Sequence, residues 1–574
     1  MVKFIYKYAT AFLIFYLLFP SQRIWADDPP SGQEPGAQVE RVQEESQKRK
    51  KQLEKAVIKM PPIQEEKEQG ALQGAGVVFV LKEVNITGMT LFKPQVFLSA
   101  YKAYLDQTVT AKEINAVIDR IKEAYKKKGY LTTIVRLPEQ NIQNGKLEIR
   151  VFEGKMGDLT IEGNKSVSRG LFERYFHIKK NELLNFKTMQ RDLLRLSKNS
   201  ILAVRAVIGA GRQPQTSDVT LKIEEKRPDH LGIGFDNQGT RLTGKYRESV
   251  WWGNANITGR LDSLYVYTIF SSLSSGKMIS YETPVGTYGT KFGMSIVDFD
   301  MKLGKDFKSL DITGHSQIYD PHFSWELALR EDFQASAQSG IEIKSIKKKT
   351  LGTTTSDDQL RLPYFGFNFT KIDPWQGKTE FSPRFTFGTS NFLGASSENH
   401  PSASRAKTGG GFFKYDQGLN RTQRMPVGVL SIRSHGQAAS HTLTSSEQLQ
   451  LGGADSIRGY PEGDYLADEG GFVNLDWYFP AYFIPEDWKM LKSGKTLRSQ
   501  IEPVIFFDAG GGWLKKTLPG EKREKTLIGV GGGVRLRLTD HTYLRMDWAQ
   551  AVGNKPTAGS GNSTLSLTLQ CQIW

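Results

Sequence analysis

Cysteine and long apolar segments are scarce in this sequence of 574 residues. The single cysteine, Cys571, excludes a disulfide scaffold and any metal site that needs several cysteines. A mean hydropathy of −0.42 excludes a polytopic helical membrane protein, because such a protein needs many runs of about 20 apolar residues. Beyond the amino terminus, no segment has the pattern of a transmembrane helix.

Motifs for nucleotide, metal or nucleophile chemistry are missing as well. Residues 529–533 are rich in glycine, but no Lys-Ser or Lys-Thr pair follows, so close backbone packing in a strand is the better interpretation. No Gly-x-Ser-x-Gly or His-Glu-x-x-His segment occurs, and His315 and His322 have no evident third ligand. We therefore expect no enzyme activity, no bound metal and no cofactor.

Glycine and aromatic residues are abundant, with 56 Gly, 32 Phe, 21 Tyr and 10 Trp, although the chain is polar on average. A soluble β-rich protein has such a composition. So does a transmembrane β-barrel, in which apolar and polar residues alternate along each strand. Composition alone leaves both alternatives open.

The amino terminus has the pattern of a secretory signal peptide. Lys3 and Lys7 precede an apolar stretch at 9–19, and Ala26 precedes a polar segment. A positive start, a short apolar core and a small residue before a polar stretch predict a signal peptide over 1–26. The alternative, a single anchoring helix, needs a longer apolar core. An exported chain with one cysteine fits a bacterial envelope.

A polar helix and a linker are predicted over 27–76. Residues 39–60 consist mainly of good helix formers, and opposite charges stand four positions apart, as in Glu44 and Lys48. The pattern shows no apolar face wide enough to join a core, and a Pro-Pro pair ends it. Residues 64–76 are predicted to be a flexible linker.

Two α+β modules follow as an internal repeat. The segment Val-Asn-Ile-Thr-Gly at 84–88 resembles Leu-Thr-Ile-Glu-Gly at 159–163. A capping box at Thr110 opens an amphipathic helix in the first copy, and a capped helix stands at the corresponding place in the second. Both copies have the order β-α-α-β-β, which predicts modules at 77–154 and 155–228.

Short alternating runs replace the helical pattern from 229 to 574. Residues 534–538 place apolar side chains on one face and Arg535 and Arg537 on the other, and residues 473–479 alternate in the same way. A soluble sandwich rarely carries such charges on the second face of successive strands, whereas a water-filled barrel in lipid requires them. At about 10 residues per strand, the segment accommodates roughly 16 antiparallel strands. We therefore predict a membrane β-barrel.

Four segments resemble the outer-membrane transporters of two-partner secretion, the TpsB family. This family includes the haemolysin-activator and filamentous-haemagglutinin transporters and belongs to the POTRA-plus-barrel superfamily. The matching segments are 232–246 (GIGFDNQGTRLTGKY), 281–286 (YETPVG), 446–460 (SEQLQLGGADSIRGY) and 506–510 (FFDAG). The resemblance covers almost the whole mature chain, and the last two segments together are its specific part.

These two segments predict a contact inside the barrel. Asp508 shares the lumenal face of its strand with Phe506 and Gly510. A long loop that ends in Arg458 can fold back into the lumen, where an Arg–Asp pair shielded from water is stronger than a surface pair. The family places its sixth extracellular loop in this way. The resemblance therefore implies a lock between loop and barrel formed by Arg458, Gly459, Tyr460, Phe506, Asp508 and Gly510.

The resemblance also implies a function. The protein is expected to be a pore in the outer membrane of a Gram-negative bacterium, with two POTRA-like modules in the periplasm. It is expected to secrete a large exoprotein of haemolysin or adhesin type, recognised through the exoprotein's N-terminal secretion domain. The polar helix is expected to plug the resting pore. We further expect a monomer in outer-membrane lipid, inserted by the barrel assembly machinery.

Three other classes of outer-membrane protein fit the sequence less well than a secretion transporter. An assembly or insertion factor for outer-membrane proteins belongs to the same superfamily, and the helix before the modules favours secretion. A passive porin has no such modules, and no plug of nutrient-receptor size precedes the barrel. Despite the net charge of +15, we expect no nucleic-acid partner, because the exported chain has no recognition fold.

Several charged clusters lie outside these motifs. Residues Lys344 and 347–349 are interpreted as solvated ends of elements or turns. Asp464, Asp468 and Glu469 are interpreted as a solvated loop, with a bound cation as the alternative. The last residue, Trp574, is out of phase with the outward side chains before it, which predicts a bulge or a weak assembly signal. Basic residues on the modules are predicted to steer an acidic partner: Lys126, Lys127, Lys128, Lys179 and Lys180.

Overall fold

A computed structural model describes residues 31–53, 63–65, 78–142, 144–489, 495–517, 521–557 and 561–573. The predicted signal peptide and Trp574 lie outside these ranges, as does most of the predicted linker. The described chain contains an N-terminal helix, two α+β modules and a closed β-barrel. Within the described ranges, no helix is both long enough and apolar enough to cross a membrane.

The N-terminal helix, α1, spans Pro35–Leu53, and the 3₁₀ turn Ser31–Gln33 precedes it. The sequence predicted this helix over 39–60. The observed helix begins earlier because proline is favoured in the first helical turn. Residues 54–60 lie outside the described ranges. The next described element is the short strand β1, Ile63–Glu65.

The first module has its core between one face of two helices and a three-stranded sheet. Strand β3 pairs in parallel with β6, which pairs with β5 in antiparallel orientation, and β2 pairs with β4. The predicted capping box at Thr110 is present, and Gly129 ends the long helix with a φ of 96°. The elements are β2 (Phe79–Val80), β3 (Glu83–Thr87), α2 (Leu98–Tyr101), β4 (Thr108–Val109), α3 (Ala111–Lys128), β5 (Ile134–Arg136) and β6 (Lys146–Phe152).

The second module repeats this arrangement with an added strand. Its elements are β7 (Lys155–Glu162), α4 (Arg169–Tyr175), α5 (Phe186–Ser197), β8 (Leu202–Ala210) and β9 (Thr216–Glu225). The sheet order is β1-β8-β9-β7, with β1 parallel to β8. The prediction of a flexible linker is therefore wrong for 64 and 65. The sequence signal is too short to show that these residues pair with the free edge of β8.

The rest of the chain forms a closed barrel of sixteen antiparallel strands, which confirms the predicted fold class. Strand β10 closes the barrel against β27, with Gly232 opposite Gln572. A hairpin of two further strands, β21 (Leu449–Leu451) and β22 (Tyr465–Ala467), lies in the long loop after β20. The barrel strands before this loop are β10 (Asp229–Asp236), β11 (Arg247–Asn254), β12 (Ser263–Phe270), β13 (Ser274–Pro284), β14 (Lys291–Lys302), β15 (Thr313–Leu329), β16 (Phe333–Thr350), β17 (Thr353–Ile372), β18 (Gly377–Gly388), β19 (Phe412–Arg424) and β20 (Val429–Ala439).

The strands after the loop complete the wall. They are β23 (Glu469–Tyr478), β24 (Ile501–Trp513), β25 (Glu524–Arg537), β26 (Thr542–Ala551) and β27 (Ser563–Gln572), with the short helix α6 (Leu497–Gln500) before β24. Val473, Leu475 and Trp477 face outward and are exposed, whereas Asn474 and Asp476 between them are buried in the lumen. This alternation is the one that a barrel in lipid requires.

Module 2 adjoins the end of the barrel at which β10 begins. The Arg195 side chain of α5 donates a hydrogen bond from Nε to Glu326 at the end of β15, at 2.8 Å. His177 lies 3.0 Å from the Thr287 hydroxyl in the turn after β13. These contacts define a module side and an opposite side of the barrel.

Candidate functional site

The loop from 440 to 468 folds into the barrel, where Arg458 meets Asp508 on β24. The guanidinium donates from Nε to Asp508 Oδ2 at 2.7 Å and from Nη2 to Asp508 Oδ1 at 2.6 Å. Arg458 is 2% exposed and Asp508 is fully buried. A bidentate pair with further hydrogen bonds is the geometry in which two buried charges compensate for lost hydration. The structure thus brings the predicted pair together.

The other residues of the predicted lock surround this pair. The Arg458 guanidinium lies 3.5 Å from the centre of the Phe506 ring. Gly459 has a φ of 95°, and a Cβ there would lie 2.7 Å from the backbone nitrogen of Ala551, so only glycine fits. Tyr460 is buried, and its hydroxyl accepts a hydrogen bond from the Ile528 N–H at 3.3 Å. All these contacts fix the tip of the loop.

Two lock residues on β23 were not predicted. Arg458 Nη2 also donates to Asp476 Oδ1 at 2.6 Å, and Asn474 Nδ2 donates to Asp508 Oδ1 at 2.7 Å. Both belong to the alternating segment 473–479, so the sequence marks them as lumenal. It does not show the register that places Asn474 opposite Asp508. Gly510 contributes space, since a Cβ there would lie 2.7 Å from Ile457 Cδ1.

Helix α1 lies inside the barrel along an apolar sector of the wall. Ala37 and Val39 are fully buried, and Val42 is 5% exposed. The prediction that the helix has no apolar face wide enough to join a core is therefore wrong. A narrow stripe suffices here because the facing sector of the lumen is itself apolar, which barrel patterning does not predict. The facing side chains are Tyr265, Tyr267, Ile269, Met278, Val297, Phe299, Met301, Ile318 and Ile346.

Ion pairs hold the other faces of α1. Those to the barrel wall are Glu45–Arg247 at 3.0 Å and Lys50–Glu282 at 2.6 Å, and Glu34, directly before the helix, pairs with Lys348 at 2.8 Å. Those to the loop are Arg41–Glu462 at 3.3 Å and Lys48–Asp455 at 3.0 Å. The helix is thus attached by ion pairs to both the wall and the loop.

A buried lysine joins helix, wall and loop. Lys344 Nζ lies 2.8 Å from Glu40 of α1, 2.8 Å from Glu447 of the loop and 3.3 Å from Glu342 of β16. Lys344 and Lys348 were predicted to be solvated, and this is wrong. The basic run continues the long strand β16, and alternation turns these two side chains into the lumen.

Two of the three acidic residues at the end of the loop, Asp464 and Asp468, are also buried, contrary to the predicted solvated loop. Arg405 Nη1 donates to both carboxylate oxygens of Asp468 at 3.1 Å, and the Leu443 N–H donates to Asp468 Oδ1 at 3.0 Å. Asp464 pairs with Lys525 at 2.5 Å. Their partners come from loops and strands distant in sequence, so the sequence carried no signal for them. Glu469 is partly exposed and lies 2.8 Å from Lys515.

The five predicted docking lysines lie on the surfaces of the two modules. Lys126, Lys127 and Lys128 form the last turn of α3, and Lys128 Nζ lies 4.4 Å from the centre of the Phe92 ring. In module 2, Lys179 and Lys180 precede α5, and Lys180 pairs with Asp158 at 2.5 Å. The lysines at 126–128 and those at 179–180 contact different partners.

Module 1 contains a buried carboxylate that ties its helix to its sheet. Glu153 accepts hydrogen bonds from the Tyr125 hydroxyl at 2.6 Å and from the N–H groups of Thr90 and Leu91 at 2.9 and 3.0 Å. Burial alone would raise the pKa of Glu153, but these bonds and one from the Thr90 hydroxyl lower it below its usual value. Burial and the bond to Glu153 raise the pKa of Tyr125.

The histidines considered as metal ligands lie on opposite faces of β15. His322 is buried in the lumen beside Asp320, at 3.3 Å. His315 is half exposed on the outer face, where its ring nitrogen and oxygens of Asp298 and Asp300 lie within 4.8 Å of one another. His315 and His322 therefore cannot share one metal ion.

Two tandem α+β modules ahead of a sixteen-stranded barrel, with a helix in the lumen and a loop locked to the wall, define the class of POTRA-plus-barrel transporters of the outer membrane. The sequence model of the family described as "Haemolysin secretion/activation protein ShlB/FhaC/HecB" matches residues 215–536, more than half of the chain. The chain therefore belongs to this family. The model described as "POTRA domain, ShlB-type" matches residues 79–154, which include module 1.

Characterised relatives and a solved structure agree with this family. The chain is 26% identical to the heme/hemopexin transporter protein HuxB of Haemophilus influenzae over 477 residues, 79% of this chain and 80% of HuxB. It is 24% identical to the outer membrane transporter CdiB of Dickeya dadantii over 430 residues, 73% and 75% of the two chains. The structure of CdiB from Escherichia coli has the same fold, with a TM-score of 0.72, 18% identity and coverage of 96% of this chain and all of CdiB.

The predicted function class and location are confirmed. The protein is an outer-membrane transporter of the two-partner secretion type, whose family exports partner exoproteins. Its barrel lies in the outer membrane and its POTRA modules lie in the periplasm. The module side of the barrel is therefore the periplasmic side, and the loop from 440 to 468 begins on the extracellular side. The family is one of transporters and not of enzymes.

Proposed function

We propose that this transporter exports a large exoprotein of haemolysin or adhesin type, which it recognises in the periplasm through the exoprotein's N-terminal secretion domain. One relative, from Serratia marcescens, is named a hemolysin transporter protein and is 23% identical over 410 residues. The observation that carries the proposal is the content of the lumen. A helix and a loop fill it, held by ion pairs and by apolar packing against the wall. Such a lumen becomes a passage once the helix leaves.

Recognition is proposed to use strand addition on the modules. The edge of β8 already accepts a strand, since Ile63–Glu65 pairs with it in parallel. The same backbone groups suit an extended segment of the exoprotein, which gains main-chain hydrogen bonds without needing a fixed sequence. Lys126, Lys127, Lys128, Lys179 and Lys180 are proposed to attract an acidic exoprotein to these modules, because rim charges act mainly on the rate of encounter.

Helix α1 is proposed to be the plug and the Arg458–Asp508 pair the lock of the resting state. The entering exoprotein would displace the helix by forming ion pairs with the wall and loop residues that now bind the helix. No nucleotide-binding motif occurs in the sequence, so folding of the exoprotein outside the cell is proposed to drive export. The barrel is proposed to act as a monomer, since a closed barrel leaves no strand edge for a second copy. The barrel assembly machinery is proposed to insert the barrel into the outer membrane.

Co-expression with a candidate large exoprotein tests the proposal. The exoprotein should appear in the medium with the intact transporter and remain in the periplasm when residues 77–226 are deleted, because the recognition modules are then missing. A variant with Glu139→Gln, an exposed position of module 1, serves as the control and should secrete normally. Undiminished secretion by the deletion variant would overturn the proposal. A general loss of other outer-membrane proteins in its place would favour the assembly-factor alternative.

A further inference from the structure

A cavity of about 490 Å³ lies at the periplasmic mouth of the barrel, beside the C-terminal end of the plug helix. Its outer wall is formed where β25 ends at Arg537, where β26 begins, and where β27 ends. Arg49 of the plug and Trp251 of β11 form the inner side. A chain that enters the barrel from the modules meets this cavity before it meets the lock.

Three groups around this cavity, Arg49, Trp251 and Arg537, carry hydrogen-bond donors with no acceptor among the described residues. The Arg49 guanidinium lies 4.2 Å from the centre of the Trp251 ring, and its Nη1 is buried without a hydrogen bond to any described residue. Trp251 is 5% exposed, and its Nε1–H has no acceptor among the described residues either. Arg537 is exposed and makes no ion pair within the described ranges. The acidic side chain in the lining, Asp540, is already paired with Lys495.

A second cavity of about 390 Å³, on the other side of the plug, is different. There, Lys414 lies 2.8 Å from Glu447 and Arg384 lies 2.8 Å from Glu342, so these two cations already have carboxylate partners. In the first cavity, Arg49 Nη1, the Trp251 indole N–H and the Arg537 guanidinium lack acceptors among the described residues. Guanidinium groups match carboxylates in shape as well as in charge.

We propose that the mouth cavity binds an acidic segment of the exported polypeptide, with carboxylates at Arg49 and Arg537. The inference rests on the proposed function and adds the place at which the chain first engages the pore. Lipid phosphate is not the ligand, because the cavity lies inside the closed wall and lipid contacts the outside. Since Arg49 belongs to the plug, a carboxylate bound there competes with the stacking of Arg49 on Trp251. The acidic segment therefore acts on the plug itself.

Calorimetric titration of the full-length transporter in detergent with a hexaglutamate peptide tests the site. Hexaglutamate should bind, and hexalysine should not. Arg537→Gln and Arg49→Gln should each weaken binding at least 10-fold, while Arg537→Lys should retain part of it. The matched control is Arg424→Gln, an exposed arginine at the periplasmic end of β19 on a distant part of the same rim, which should bind as the parent does.

Three results would overturn the inference: no binding of hexaglutamate, equal weakening by Arg424→Gln, or binding of inorganic phosphate as tight as that of the peptide. Heat-modifiable migration on gels shows that each variant has a folded barrel. Secretion of the exoprotein is scored separately in cells. If secretion still requires residues 77–226 but hexaglutamate does not bind, the proposed function stands and the mouth site fails.

Discussion

At Arg458, two carboxylates, a backbone N–H and an aromatic ring occupy the positions that water would otherwise take around a guanidinium and its partner. Removing one member of such a buried set leaves the opposite charge uncompensated, which typically costs about 3–5 kcal/mol. Lys344 has the same character, because three carboxylates from three parts of the chain share its charge. At the scale of single residues, the loop and the helix are therefore kept in the lumen by buried ion pairs, in which each charge depends on its partner.

The lock can be tested by reversal of its charges. Arg458→Glu and Asp508→Arg should each reduce secretion strongly, since each places two like charges against each other in a buried site. The double variant should recover a substantial part of the loss, because the pair is restored with opposite polarity. Exoprotein in the medium is the measurement, with Asp476→Asn as a milder comparison that removes one of two carboxylate partners. Additive losses in the double variant would contradict the lock.

The elements were predictable to different degrees. Alternation of side chains identifies the barrel strands, because inside and outside differ sharply in a lipid-embedded wall. The capping residues Thr110 and Asn185 identify the module helices, since caps act within four residues. The true extent of the plug and strand β1 could not be predicted. Helix α1 gains its stability from a wall that begins about two hundred residues later, and β1 from an edge formed by β8.

The sequence also identifies only part of the lumenal site. Arg458 and Asp508 stand out because each lies in a recognisable segment. Lys344, Arg405 and Lys525 do not, because a charged residue in a strand looks the same whether it meets water or a carboxylate from a distant loop. The register of the strands and the path of the loop decide that question, and both are properties of the folded chain.

The plug helix gives a prediction at the scale of elements. Deletion of 31–60 should raise the ion conductance of the pore in planar bilayers several-fold, because the helix fills the lumen along its length. Val39→Asp with Val42→Asp should raise it as well, since two carboxylates would be buried against an apolar wall. Glu44→Gln, on the exposed face, should leave the conductance unchanged. Equal conductance of the deletion variant and the parent would refute the plug.

Over the whole molecule, module 1 has a core separate from that of the barrel, so the stabilities of these two parts respond to different conditions. Backbone pairing around a closed ring depends little on pH. Module 1 depends on Glu153, whose pKa is lowered in the folded state. A lowered pKa contributes stability that is present above the unfolded value, about 4.3, and is lost as the pH falls through the folded value.

Acidification should therefore open module 1 before the barrel. Hydrogen exchange in peptides from 78–142 should rise as the pH falls from 7 to below about 4, while heat-modifiable migration shows that the barrel persists. Glu153→Gln should weaken module 1 by about 1–3 kcal/mol at neutral pH and reduce this pH dependence, because an amide cannot accept all the bonds that the carboxylate accepts. Glu139→Gln in the same module is the control. Simultaneous opening of module and barrel would contradict their independence.

The position of α1 has a consequence for how the molecule is made. Glu40 and Lys344 are 304 residues apart in sequence, so the helix leaves the ribosome long before its binding site exists. Contacts of such high sequence separation form late, after the intervening chain has been ordered. The wall around the helix is complete only when β27 pairs with β10. The helix is therefore seated late in biogenesis, after the wall strands that face it have been ordered, and until then the exported chain carries its plug unbound.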